Sequence, residues 1–246
     1  MKLLITGANS FIGRHVALIT GADELDVKNE NWKNTDFTKY DAILHVAAIV
    51  HQKEEPEMQD LYKKVNTDLP VEIAQKSGVK NFIFMSTMAV YGENGELGKP
   101  CVITKQTPTN PKTMYAKTKL EAEKQLADLN INLAILRPPM VYGENAPGNS
   151  TRLEKLAKKL PVFPDYQNER SMVEVNKLAE IIKDIYDNKK SGIFFPQDDE
   201  YTSTSAWVKA LSNNKIHLSK LLGKLVPLGK NLNVVKKIFG NLTYER

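Results

Sequence analysis

The sequence predicts an α/β protein built on a doubly wound parallel sheet. Two observations carry this. Short, near-continuous apolar runs of strand length alternate with amphipathic stretches of helical length along most of the chain. Directly after the first apolar run stands TGANSFIG (6–13), a glycine-bearing turn of the kind that joins a strand to a helix. At 246 residues the chain suffices for one large domain, or one domain carrying a small lobe.

Taken in order, the first strand is KLLIT (2–6), and a helix follows the turn from Phe11 to about Ile19. Between Gly13 and Asp41 the chain is short. It has room for a second strand at ELDV (24–27), and the polar stretch KNENWKNTDFTKY (28–40) reads as loop with little regular structure. The runs AILHVAA (42–48), FIFMST (82–87) and LAILRP (133–138) suit strands buried on both faces. Helices are expected over 57–77, bent near Pro70, and over 115–129. After Pro138 the pattern loosens. PPMVYGENAPGNS (138–150) is rich in turn residues, and the helix-like RLEKLAKKL (152–160) follows it. A helix over 175–188 and the strand IFFPQ (193–197) return to the sheet, and the tail from Tyr201 is helical in character.

Composition excludes several classes. Apolar residues make up 41% and charged residues 26%, ordinary proportions for a soluble globular protein. The formal charge of +5 is too mild to indicate nucleic acid as a partner. A single cysteine, Cys101, rules out an intrachain disulfide and argues against a thiolate metal site, so no metal is expected. The opening MKLLITGA has too short an apolar run for a signal peptide, and no window approaches the roughly 18 apolar residues of a membrane span. The expectation is a cytoplasmic protein.

Three motifs carry chemistry. In TGANSFIG, a strand, a glycine turn and a helix N-terminus offer backbone N–H groups and a positive dipole end to a diphosphate. Gly7 permits the tight turn and Gly13 a close approach of helix and strand, while Ser10 stands where such turns usually have a middle glycine. The plainer reading is an ordinary strand-to-helix turn. In YAKTK, Tyr115 and Lys119 are spaced to share a helix face. An ammonium there favours phenolate over phenol, so the tyrosine pKa should fall and the group could exchange a proton near neutral pH. Alone the pair is weak, because this spacing is common on surface helices. In FIFMSTMAVYG (82–92), a strand delivers Ser86 and Thr87 to its C-terminal end, where open α/β sheets bind ligands.

In this order, and with HVAA (45–48), VNTDLP (65–70), LRPPMVYG (136–143) and RSMVEVNKLAE (170–180), these motifs resemble the extended short-chain dehydrogenase/reductase family, and within it the nucleotide-sugar epimerase/dehydratase branch. The resemblance covers nearly the whole chain. It implies a Rossmann domain over 1–139, rejoined by 171–197, and a small C-terminal substrate-binding lobe from 140–170 and 198–246. It implies that Tyr115 is the catalytic acid/base, that Lys119 is its partner and grips the nicotinamide ribose, and that Thr87, with Ser86 beside it, bonds the substrate. The cofactor, NAD or NADP, would contact Gly7, Asn9, Ser10, Phe11, Ile12, Gly13, Ala47, Ala48, Asn66 and Pro138. Arg170 matches the arginine that meets the substrate pyrophosphate; its plainer reading is a surface ion pair with Glu169 or Glu174. A UDP-linked substrate, surface polysaccharide biosynthesis and a homodimer through the helices that carry the Tyr–Lys pair are also implied.

Departures narrow the reaction. Common 4,6-dehydratases of the branch carry an Asp-Glu pair after the threonine, where this chain has Met88 and Ala89, which cannot transfer protons. What remains is 4-epimerisation or reduction of a 4-keto sugar. At the end of the second strand an acid takes ribose hydroxyls for NAD and a base accommodates the NADP phosphate. Asp26 suits the first role and Lys28 the second. Lys28 falls where the strand should end, which favours NADP(H); otherwise it is a solvated loop lysine. Met140 replaces an asparagine that helps hold the diphosphate, and Asn149 or Arg152 would compensate. Phe163 is either a contact for the uracil base or a core residue.

Lysines in the tail, from Lys215 to Lys237, interleave with leucines, so this basic segment either lies on an anionic membrane surface or caps the lobe with its lysines in water. A reading of another class is a catalytically idle NAD(P)-binding sensor, motivated by Ser10 and the compressed nucleotide region. The intact Tyr115, Lys119 and Thr87 argue against it.

Overall fold

The computed structural model describes residues 2–50 and 52–246, except the side chains of Asn149, Ser150, Arg152 and Leu156. The chain divides into two compact units, Met1–Gly92 with Asn110–Pro139 and Glu174–Pro196, and Glu93–Thr109 with Met140–Val173 and Gln197–Arg246. The segment Glu93–Thr109, expected in the first unit, belongs to the second.

The first unit is built on a six-stranded parallel sheet. Its strands are β1 (Leu3–Thr6), β2 (Asp23–Leu25), β3 (Ala42–His45), β4 (Asn81–Met85), β6 (Asn132–Leu136) and β10 (Gly192–Phe194), in the order β2-β1-β3-β4-β6-β10. β1, β3 and most of β4 are buried, as their uninterrupted apolar runs require. Successive strands leave β1 in opposite directions, so the order reverses between β1 and β3. There the carboxyl ends of the strands open a crevice for ligands.

Helices α1 (Phe11–Thr20), α2 (Gln59–Lys63), α3 (Leu69–Ser77), α4 (Met114–Ala127) and α6 (Val175–Asp187) belong to this unit. The bend expected near Pro70 is a π-helical turn over Lys64–Asp68, between α2 and α3. Pro70 has no N–H for the carbonyl one turn back, and the wider turn absorbs that break. The stretch 28–40 is more structured than its polarity suggests. A 3-10 turn over Glu30–Asn34 buries Trp32, and Phe37 and Tyr40 join it in a core cluster with Ile43, Ile73 and Phe82.

The second unit contains β5 (Val102–Ile103), β7 (Met140–Tyr142), β8 (Val162–Pro164), β9 (Met172–Glu174), β11 (His217–Ser219) and β12 (Thr243–Tyr244), arranged as the pairs β5-β12, β7-β9 and β8-β11. Its helices are α5 (Asn149–Lys159), α7 (Thr204–Leu211), α8 (Lys220–Leu225) and α9 (Asn233–Phe239). Ala157, Phe163, Val208, Ile216, Val226 and Phe239 form its core. Among the described residues no helix is long and apolar enough to cross a membrane.

Candidate active site

The glycine turn leaves β1 at Gly7, whose φ of +116° is open only to glycine. A Cβ there would also lie 2.8 Å from the Ala47 backbone nitrogen, so no other residue fits. Asn9 takes a left-handed φ of +63°, and its N–H donates to Glu24 Oε2 at 2.7 Å. Ser10 has φ −70° and is the N-cap of α1, its Oγ accepting from Gly13 N at 3.1 Å. The residue that looks like a defect in the glycine pattern is therefore the helix cap. Gly13 is required in turn: a Cβ on it would lie 2.5 Å from Ser10 Oγ and 3.2 Å from Ile5 Cγ2. Phe11 and Ile12 begin α1, whose first turn has no acidic residue of its own. Ala47, whose N–H donates to Thr6 O at 3.0 Å, and Ala48 leave β3 beside the turn. Pro138, after β6, accepts from Met88 N.

The register of β2 corrects the expectation for Lys28. The strand ends at Leu25, paired with Thr6, and Leu25 O accepts from both Gly7 N and Ala8 N. Asp26 is thus the first residue past the strand, next to the glycine turn. Lys28 is two residues further on, and its N–H donates to Asp26 Oδ1.

Helix α4 presents Tyr115, Lys119 and Glu123 on one face, each four residues from the last. Its N-terminus is doubly held. Thr113 Oγ1 accepts from Ala116 N, and the Glu54 carboxylate accepts from Met114 N at 2.8 Å and Tyr115 N at 3.0 Å. Thr87, just past β4, is close enough to the Tyr115 phenol to pull its pKa down. Its own Oγ1 accepts from Ala89 N and so caps the 3-10 turn Met88–Tyr91.

The electrostatics reverse one expectation. Burial pushes the Tyr115 phenol up to about 12, outweighing the effect of Thr87, and nearby Tyr62 adds to the rise. Burial also brings Lys119 down to about 7, against the opposing pull of Glu123. With no ligand, desolvation acts on both groups more strongly than either acts on the other. Lys119 is 1% exposed, and its Nζ has no hydrogen-bond partner while it lies 4.3 Å from the centre of the Phe84 ring. His45, buried at the end of β3, bonds Thr6 Oγ1 through Nδ1. Burial, reinforced by the charge of Lys119, lowers its pKa to about 3 and keeps it neutral.

Two predicted site residues are bonded into the scaffold. Ser86 is buried and donates to Glu123 Oε1, so its hydroxyl is engaged away from Tyr115. Glu123 also receives Arg137 Nε and Nη2, and Arg137 Nη1 donates to Tyr91 Oη at 2.7 Å. Asn66, on the π-helical turn, accepts from Ile49 N and donates to Ile49 O and Thr118 Oγ1. Its amide thus pins the segment after β3. Glu54 and Arg137 escaped the sequence reading, since nothing in QKEEP marks a cap for a helix sixty residues away. The signal for Glu123 was present in its spacing from Lys119.

In the second unit, Phe163 is buried against Phe239, with ring centres 5.6 Å apart. Its ring is part of the core of this unit. Met140 opens β7 and is partly buried. Asn149 and Arg152 fall on α5, and their side chains lie outside the described residues. Arg170 donates from Nη1 to Gly240 O at 3.0 Å. It pairs with neither Glu169 nor Glu174, whose carboxylate instead caps α6, and burial pulls its pKa below the usual guanidinium range.

The model of the NAD dependent epimerase/dehydratase family matches residues 3–194. A UDP-glucose 4-epimerase from Vibrio cholerae is 34% identical over 82% of this chain and 68% of its own length. An N-acetyl-α-D-glucosaminyl-diphospho-ditrans,octacis-undecaprenol 4-epimerase from Escherichia coli O157:H7 is 28% identical over 74% of this chain and 62% of its own. The chain therefore spans about two thirds of each relative. A UDP-glucuronic acid 4-epimerase from Bacillus cereus, solved with NAD, superimposes with a TM-score of 0.71 at 19% identity, over 99% of this chain and 89% of that one. With a parallel sheet, a glycine turn capped by Ser10 and a Tyr115–Lys119 pair on α4, the chain belongs to the NAD-dependent epimerase/dehydratase family.

Proposed function

We propose that the chain is an NAD-dependent 4-epimerase acting on a UDP-linked sugar, with Tyr115 as its acid/base. The observation that carries this reading is a fully buried amine, Lys119 Nζ, that has no hydrogen-bond partner, one helical turn from a Tyr115 whose pKa feels the Thr87 hydroxyl. An unpartnered buried amine is costly, and the ribose hydroxyls of a nicotinamide cofactor would satisfy it. The Gly7 turn and the acid-free first turn of α1 suit the cofactor's diphosphate, and Asp26 suits its adenosine ribose. When bound, NAD supplies a hydride acceptor and donor, together with a positive charge that favours phenolate.

The chain's own residues handle the proton. Thr87 holds the C4 oxygen, and Tyr115 takes its proton and returns it once the keto sugar has turned over. The Lys119 ammonium stabilises the phenolate between those events. Met88 and Ala89 offer no group for removing water across C5–C6. Arg170, with no carboxylate partner among the described ion pairs, is assigned to the substrate diphosphate.

Epimerisation is favoured over 4-keto reduction by the position of Asp26, which suits NAD, and by the similarity to a UDP-glucose 4-epimerase. The product would feed surface polysaccharide assembly, the setting that the sequence resemblance implies. Mass spectrometry of the purified protein should find NAD. Incubation with UDP-glucose, UDP-N-acetylglucosamine and a polyprenyl-diphospho-N-acetylglucosamine should yield the C4 isomer of at least one. Absence of any C4 isomer, or a strict need for fresh NADPH and a 4-keto sugar, overturns the reading.

A further inference from the structure

From Tyr201 to Tyr244 the sequence holds seven lysines and neither aspartate nor glutamate, so this stretch alone exceeds the +5 charge of the whole chain. It forms α7, β11, α8, a 3-10 turn over Val226–Gly229, α9 and β12. Lys215, Lys220, Lys224, Lys230 and Lys237 are exposed. Between them stand large apolar side chains that the core does not take up. Leu221 is 72% exposed and Leu228 82%, and Leu225, Leu232 and Val234 are each more than half exposed.

The orientation of α8 explains the leucines. Gly223 is buried against Asp165, where a Cβ would lie 2.0 Å from the carbonyl oxygen. Leu221 and Leu225 stand two residues to either side, about 200° around the helix, and so point away from that contact. A helix that covers a core turns its leucines inward. This one turns a glycine inward and its leucines out. Val208, Ile216, Val226 and Phe239 anchor the segment in the core.

We propose that this face docks on an anionic lipid bilayer, with Leu221, Leu225, Leu228 and Leu232 entering the boundary between headgroups and acyl chains and the lysines meeting acidic headgroups. Charge decides the occupant. A second copy of the chain would bring lysine against lysine across the contact, whereas an acidic leaflet attracts every one of them. Apolar residues flanked by lysines are also the composition by which an interfacial segment holds to such a surface.

Flotation of the purified chain with vesicles of phosphatidylglycerol and phosphatidylcholine, against vesicles of phosphatidylcholine alone, tests this. The chain should float with the first and not with the second, and added salt should release it. Combining Lys220→Glu, Lys224→Glu and Lys230→Glu should weaken binding by about tenfold or more. Combining Leu221→Ser, Leu225→Ser and Leu228→Ser should also weaken it while leaving Tm unchanged, because these side chains lie outside the core. No flotation with phosphatidylglycerol, or binding undiminished in both variants, overturns the proposal. So does a solution dimer that the leucine variant splits and that does not bind vesicles. Turnover is not the readout, so failure here leaves the enzymatic reading intact.

Discussion

Glu54 holds the amide end of the helix that carries Tyr115, its two carboxylate oxygens accepting from Tyr115 N and Met114 N. Tyr115 is therefore placed partly by a residue on the segment that follows β3. Glu54→Ala should lower stability by about 1 kcal/mol, the usual worth of a helix cap. It should also reduce kcat more than cofactor affinity, because the approach of Tyr115 loosens while the glycine turn is untouched. Thermal melts with parallel kcat and NAD titrations check this; a lower Tm with unchanged kcat would leave Glu54 a cap only.

Buried Lys119 and Tyr115 predict a pH signature for the cofactor-free protein. Lys119 titrates near 7 when folded and near 10.5 when unfolded, so between these values the unfolded chain binds one more proton and stability rises with pH. Tyr115 titrates near 12 when folded and near 10 when unfolded, so above pH 10 the folded chain keeps a proton that the unfolded chain has lost, and stability falls. Lys119→Met should flatten the rise and Tyr115→Phe the fall, read as Tm against pH. Tyr115→Phe should also cut turnover by about 100-fold or more while leaving NAD affinity near that of the unmodified chain.

Glu123 and Arg137 form a buried ion pair, 3% and 7% exposed, one turn of α4 beyond Lys119. Removing one member strands the other. Arg137→Met or Glu123→Ala should each cost about 3–5 kcal/mol, enough to lower Tm by about 6–20 °C in a chain of this size. The double variant should recover part of the loss, since no uncompensated charge remains. A double variant no more stable than either single one would contradict this account.

In the proposed reading Asp26 sets the choice of cofactor. Asp26→Asn should weaken NAD binding by about tenfold, as expected for losing a charge-assisted bond to a ribose hydroxyl. Lys28→Ala should leave NAD binding nearly unchanged. Calorimetric titration of both variants with NAD and NADP would show the reverse ranking if Lys28 set the preference.

Ser10 separates capping from phosphate contact. Ser10→Ala removes the bond to Gly13 N and should cost about 1 kcal/mol, whereas Ser10→Gly should cost only a few tenths. Equal losses in the two variants, measured by denaturant titration, would mean that the hydroxyl does not act through the cap.

The sheet was legible because β1, β3, β4 and β6 are buried, and burial on both faces leaves an unbroken apolar run. The Tyr115–Lys119 pair and Thr87 were legible as short motifs on known elements. Other features depended on partners distant in sequence. Trp32, Phe37 and Tyr40 sit in a polar stretch, and only the assembled core shows them buried. The pKa of Tyr115 was misjudged because spacing reveals a neighbouring charge but not the desolvation that outweighs it. Phe163 could not be told from a ligand contact until Phe239 was seen beside it.

The interleaving of the two units has a consequence for dissecting the protein. β10 and α6, which complete the first unit, lie at 192–194 and 175–187, after two excursions into the other unit. No contiguous fragment contains one unit alone, since a piece cut at Pro139 loses the edge strand beside β6 and one cut at Pro196 carries 93–109 and 140–173 with it. Gene fusions or swaps that exchange the second unit must therefore replace three separate stretches at once, and a single crossover would give a hybrid with neither unit whole.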